Sequence, residues 1–121
     1  MFTKSLYVQV RENQFHIRNV DDSRSIQRNA NPVFSSQGKL VDDFAAARQC
    51  LKVALTEARG SGFALSTTVV IHPLEKIESV LTQVEERLFR ELAIGAGASK
   101  VIVWIGAQLS DAEVMSKIKG R

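Results

Sequence analysis

The stretch that most constrains the fold is Arg90–Gly106, RELAIGAGASKVIVWIG. An amphipathic pattern runs into Gly95-Ala96-Gly97-Ala98, and Lys100–Ile105 follows as KVIVWI. Glycine adopts positive φ without a Cβ penalty, so it ends helices cleanly. A short β-branched apolar run after such a stop reads as a buried strand, in parallel pairing. The fold is argued outward from this helix, glycine stop and strand.

The upstream pattern supplies the other elements. Ser5–Val10 alternates, with Leu6, Val8 and Val10 on one side and Tyr7 and Gln9 on the other. Phe15–Val20 alternates again, and Ser25–Ala30 is a weaker, polar strand suited to an edge. Polar turns at 11–14 and 21–24 join the three into an antiparallel meander. After a turn-rich stretch, Leu40–Arg59 carries Val41, Phe44, Ala45, Leu51, Ala54, Leu55 and Ala58 at helical spacing. Gly60-Ser61-Gly62 stops that helix, and Ser66–His72 reads as a fourth strand ended by Pro73. Leu74–Ala93 reads as a second helix, with Glu78, Gln83, Glu86 and Arg90 on its polar side. Ser110-Asp111-Ala112-Glu113 is a capping box for a short third helix through about Lys117.

The order is βββαβαβα. With the first strand central, right-handed crossovers give a mixed five-stranded sheet of order 3-2-1-4-5, an α/β fold. Both long helices then share one face. The short third helix alone is left for the other, whose residues include Tyr7, Gln9 and, on the fifth strand, Trp104. That face is expected to be thinly covered and to find a partner, which makes Tyr7, Gln9 and Trp104 candidate interface residues.

Composition narrows the function classes. The chain has 121 residues, 45% apolar and 24% charged, as expected for one globular domain, residues 1–121. No apolar stretch approaches the roughly 20 residues of a bilayer span. Met1–Leu6 lacks the apolar core of a signal peptide, so a cytoplasmic protein is expected. One cysteine, Cys50, permits no internal disulfide, and nothing in the spacing brings His16 or His72 to it. The histidines and cysteine show no metal-ligand spacing. Net charge is +3, too small to imply nucleic acid or anionic lipid.

The order 3-2-1-4-5 is that of the actin-like and ribonuclease H-like half-domain. Gly38-Lys39-Leu40-Val41-Asp42-Asp43-Phe44 resembles the stretch that opens the first helix of the MreB family of bacterial actins. Val70-Ile71-His72-Pro73 and Ala93-Ile94-Gly95-Ala96-Gly97-Ala98-Ser99-Lys100-Val101 resemble that family's strand end and helix–strand junction, in the same order. The resemblance implies an MreB-like subdomain IA. It also marks what has changed. Where the family reads phosphate with an Asp-x-Gly-Thr turn, this chain has Gln9-Val10-Arg11-Glu12. The phosphate-loop positions Gln9, Arg11 and Glu12 are therefore degenerate. Where the family carries a catalytic Glu, this chain has Ile105-Gly106-Ala107. The second lobe has no counterpart, and the inserted subdomain is reduced to a loop around Asn31–Gly38.

The resemblance thus implies a non-catalytic module with no cofactor and no metal. It would act by protein–protein contact in cell shape, as a homo-oligomer (a dimer) or with MreB-type filament proteins. Two alternatives belong to other classes. A ribonuclease H-like nuclease needs carboxylates gathered at strand ends, for which Glu12 and Glu75 are available but read more simply as turn and first-turn residues. A basic nucleic-acid or lipid-surface binder could use Arg11, Arg18, Arg24, Arg28, Lys117, Lys119 and Arg121. Phe15 and Tyr7 are too few aromatics for base stacking, so no nucleic-acid partner is expected. Met1–Lys4 is a poor match to a membrane-contact element. His72 reads as a strand-end hydrogen bonder, and Arg87 and Arg90 as helical ion-pair partners of Glu85, Glu86 or Glu91.

Overall fold

A computed structural model describes residues 3–60, 66–77 and 80–120. Eight elements follow the expected order: β1 (Thr3–Arg11), β2 (Gln14–Asn19), β3 (Arg24–Asn29), α1 (Phe44–Arg59), β4 (Ser66–Pro73), α2 (Gln83–Gly95), β5 (Lys100–Val103) and α3 (Asp111–Ile118). They build one mixed sheet of order β3-β2-β1-β4-β5, as the pattern of the sequence predicts. The meander is antiparallel, and β4 and β5 join it in parallel.

Alternation in β1 sorts the core. Leu6, Val8 and Val10 are fully buried together with Phe15, Ile17, Val69 and Ile71, under Leu51, Leu55, Phe89 and Leu92 of the two long helices. The opposite face holds a smaller cluster of Tyr7, Val70 and Val114, with Ile102, Trp104, Leu109 and Ile118 against it.

Both long helices start later than apolar spacing alone predicts. Asp43 caps α1, its carboxylate accepting the Ala46 N–H at 3.0 Å. Leu40 and Val41 are buried from the loop before the helix rather than from its first turn. Ala45, placed on the apolar stripe by spacing, faces solvent. α2 starts nine residues later than expected, at Gln83 rather than Leu74, where Thr82 and Glu85 form a capping box. Lys76 also sits at φ 58°, which no helix accommodates. Its ammonium group holds that turn by donating to the Ser36 and Gln37 carbonyls at 2.6 and 2.9 Å. Glu78, expected on the second helix, lies outside the described residues, as do Ser61, Gly62 and Arg121. The capping box of α3 forms as expected, Ser110 with Glu113.

Asn13 anchors the long loop between β3 and α1. It occupies the left-handed region at φ 54° in the tight β1–β2 turn. Its side-chain oxygen accepts the N–H groups of Phe34 and Ser35 at 2.8 and 2.7 Å. Phe34 is thereby seated, fully buried, against Phe15.

Candidate functional site

Strand register gathers the polar side chains of the second face. Gln9 lies opposite His16 on one side and His72 on the other, and Tyr7 lies between Arg18 and Val70. The segment 104–110 and α3 cross above them. This corrects the expected thin cover: Tyr7 is only 5% exposed and Gln9 9%, while Trp104, which lies just past the end of β5 rather than on it, is half-buried. The reason is polar as much as apolar. A buried hydrogen-bond chain ties the 104–110 segment down onto β1 and β4.

The hydrogen-bond directions of that chain follow from its ends. His72 Nε2 lies 3.0 Å from the Gly106 carbonyl, which can only accept, so Nε2 carries the hydrogen. Nδ1 of the neutral ring is then an acceptor, and the Tyr7 hydroxyl, 2.7 Å away, donates to it. The Tyr7 oxygen in turn accepts the Leu109 N–H at 3.1 Å and the Gln9 amide at 3.5 Å. Burial pushes the His72 imidazole below its ordinary pKa; the Gly106 carbonyl opposes this and the Arg11 charge adds to it. A neutral ring is what the chain of bonds requires. Gly106 has φ 144°, and a Cβ there would meet Trp104 Cζ2 at 2.8 Å, so this position suits glycine alone. The Trp104 indole donates to the Ala107 carbonyl at 2.9 Å, and the Lys117 ammonium sits 3.9 Å from its ring centroid.

Arg18 closes the other side of the cover. It makes a bidentate pair with Asp111 at 3.1 Å for both bonds, tying α3 to β2. That pairing raises the Arg18 pKa. A cavity of about 180 Å³ remains between Gln9, His16, Gln108 and the pair. His16 Nδ1 is buried there without a hydrogen-bond partner among the described residues.

The degenerate phosphate-loop positions fall where β1 ends. The Glu75 carboxylate accepts the Glu12 N–H at 2.5 Å, and the Ser35 hydroxyl accepts the Asn13 N–H at 2.9 Å. The backbone donors that a phosphate would use in such a turn thus serve protein acceptors. A carboxylate also occupies the approach, which repels an anion. The Glu12 carboxylate lies 3.5 Å from the Lys76 ammonium group. Glu12 and Glu75 are therefore close together but engaged in holding the β1–β2 turn. Among the described residues, no group of three or more His, Cys, Asp or Glu side chains could hold a metal ion.

Two arginines of the meander reach back to α1. Arg24 donates to the Ala58 carbonyl at 2.9 Å, capping the C-terminal end of α1. Arg28 reaches Glu57 at 3.5 Å. Arg87 pairs with Glu91 at 2.8 Å, and Arg90 with Glu86, both one helical turn apart as their spacing predicts. Cys50 is half-buried, and burial raises its thiol pKa, which suits packing rather than reactivity. No helix among the described residues is long and apolar enough to cross a membrane.

Fold and site together define a small α/β domain with closed strand ends and a cover pinned by buried polar bonds. No protein-family model matches the sequence. The chain is 32% identical over 124 residues to the uncharacterized protein YjaA of Escherichia coli (strain K12), covering 94% of this chain and 96% of the relative. It belongs to the YjaA family.

Proposed function

We propose that this chain is a non-catalytic module that acts by protein–protein contact. The observation that carries the reading is the occupied β1–β2 turn, where Glu75 and Ser35 take the N–H groups of Glu12 and Asn13. A nucleotide phosphate would have to displace a carboxylate to reach them. Arg11 at the position where the phosphate-reading turn needs glycine supports the same reading. The MreB-like resemblance supplies the setting: a cytoplasmic role in bacterial cell shape, with a second copy or an MreB-type filament as partner.

The test is turnover and binding by the purified chain. The reading predicts no hydrolysis of magnesium ATP and no cleavage of an RNA–DNA hybrid in magnesium. It also predicts co-sedimentation with assembled MreB filaments. Hybrid cleavage that Glu12→Gln abolishes, or saturable ATP hydrolysis, would overturn the non-catalytic reading. A chain that stays in the supernatant would remove the filament as partner.

A further inference from the structure

The two edges of the sheet differ. On β5, four residues long, the Arg90 guanidinium takes the Val101 carbonyl at 2.8 Å. On β3 the outer edge has no backbone partner among the described residues. Its direction follows from the ladder. Hydrogen-bonded and non-hydrogen-bonded pairs alternate in an antiparallel ladder. Ala30 donates its N–H to the Asn13 carbonyl at 2.8 Å, and the register continues without a bulge to Asn19 opposite Arg24. Arg28, Ile26 and Arg24 therefore aim their backbone groups at β2. Ser25, Gln27 and Asn29 aim theirs outward, and no backbone partner meets them among the described residues.

Natural edges are blunted by proline, bulges or charges that point along the seam. None of these operates in β3. It contains no proline, its register is continuous, and its two arginines are drawn back onto α1 by Ala58 and Glu57. The side chains beside the open groups, Ser25, Gln27 and Asn29, are all exposed, polar and uncharged.

We propose that β3 pairs antiparallel with β3 of a second copy, about a two-fold axis through Gln27, so that the two sheets become one. This deepens the contact-module reading and rests on it, naming the partner as the chain itself. The edge is self-complementary. Ser25 faces Asn29 of the second copy, Gln27 faces Gln27, and Asn29 faces Ser25. Each of these pairs exchanges two backbone hydrogen bonds, so every outward donor and acceptor is used. Across the seam neutral polar side chains meet, with no like charges opposed. On the helix side, half-buried Ile26 gains cover beside Arg28 of the second copy. An interface made by one short strand is small, so the dimer is weak and concentration-dependent.

Sedimentation equilibrium over a wide concentration range tests this on the full chain. The wild type is expected to shift from monomer to dimer as concentration rises. Gln27→Pro removes an N–H that the monomer does not use and should raise the dissociation constant at least tenfold with an unchanged circular dichroism spectrum. Gln27→Lys keeps the N–H but sets two ammonium groups across the axis, so its dimer weakens and recovers with added salt. If Gln27→Pro does not fold, the lysine variant decides. A wild type that remains monomeric at millimolar concentration, or a dimer indifferent to both substitutions, overturns the edge pairing. ATP or hybrid turnover would instead overturn the non-catalytic reading and leave the pairing standing.

Discussion

Tyr7→Phe removes one oxygen from the centre of the cover and leaves the ring in place against Val70 and Val114. Three groups lose a partner, the most weakly held being the Gln9 amide at 3.5 Å. His72 Nδ1, on a side chain only 1% exposed, loses a donor at 2.7 Å, and the Leu109 N–H loses an acceptor at 3.1 Å. Leaving a buried polar group unpaired costs roughly 1–3 kcal/mol. The histidine nitrogen belongs at the upper end, because the His72 side chain is almost wholly buried. The Leu109 N–H is only part-buried and belongs at the lower end. The expected loss is about 4 kcal/mol, or a fall in Tm on the order of 10 °C for a domain of this size. Urea unfolding measures it as a lower midpoint with an unchanged slope. Amide exchange supplies the local readout: Leu109 should lose more protection than the β1 and β4 amides. A loss below about 0.5 kcal/mol would refute the buried bond chain, because a solvated hydroxyl costs little to remove.

Other perturbations report on neighbouring parts of the structure. The His72 pKa is depressed in the fold, so the unfolded chain binds the proton more readily; stability is full above pH about 6.5 and declines as pH falls from there toward the folded pKa. Urea titrations between pH 8 and 5 should show that slope, and His72→Gln should flatten it. Asn13→Ala loses two hydrogen bonds and leaves alanine in the left-handed region, so unfolding should ease by about 3 kcal/mol. Thr82→Ala removes the N-cap of α2 and should cost about 1 kcal/mol in the same assay. Gly106→Ala meets Trp104 at 2.8 Å and should redshift the tryptophan emission as the indole is pushed toward solvent.

The architecture was legible because hydrophobic period decides it. Alternation placed β1 and β2, the unbroken apolar runs placed β4 and β5, and handedness ordered them. The helix starts were less legible, because side-chain oxygens decide them. Asp43 and Thr82 terminate patterns that apolar spacing alone would extend through Leu40 and Leu74. The SxxE signal of α3 was visible, but the equivalent Thr82–Glu85 pair lies inside a continuous apolar repeat that masks it. The site was legible in part. His72 is a strand-end hydrogen bonder, as its place before Pro73 suggests. That Tyr7 and Gln9 would be covered could not be read locally. It depends on Leu109 returning to Tyr7 from 102 residues away and on Gly106 returning to His72 from 34. The nearest sequence signal is Gly106 itself, a glycine two residues after Trp104. Asn13 gave no signal beyond being a turn residue, because its partners Phe34 and Ser35 sit in a loop with no period.

Contact at β3 and an ATP-silent β1–β2 turn can be tested together. An amide chemical-shift map of the labelled chain, recorded over a concentration series and then with magnesium ATP, addresses both in one experiment. The account predicts that raising concentration moves the amides of Ser25, Gln27 and Asn29, and that ATP moves none. Saturable ATP-dependent shifts at Gln9, Arg11 and Glu12 would contradict it.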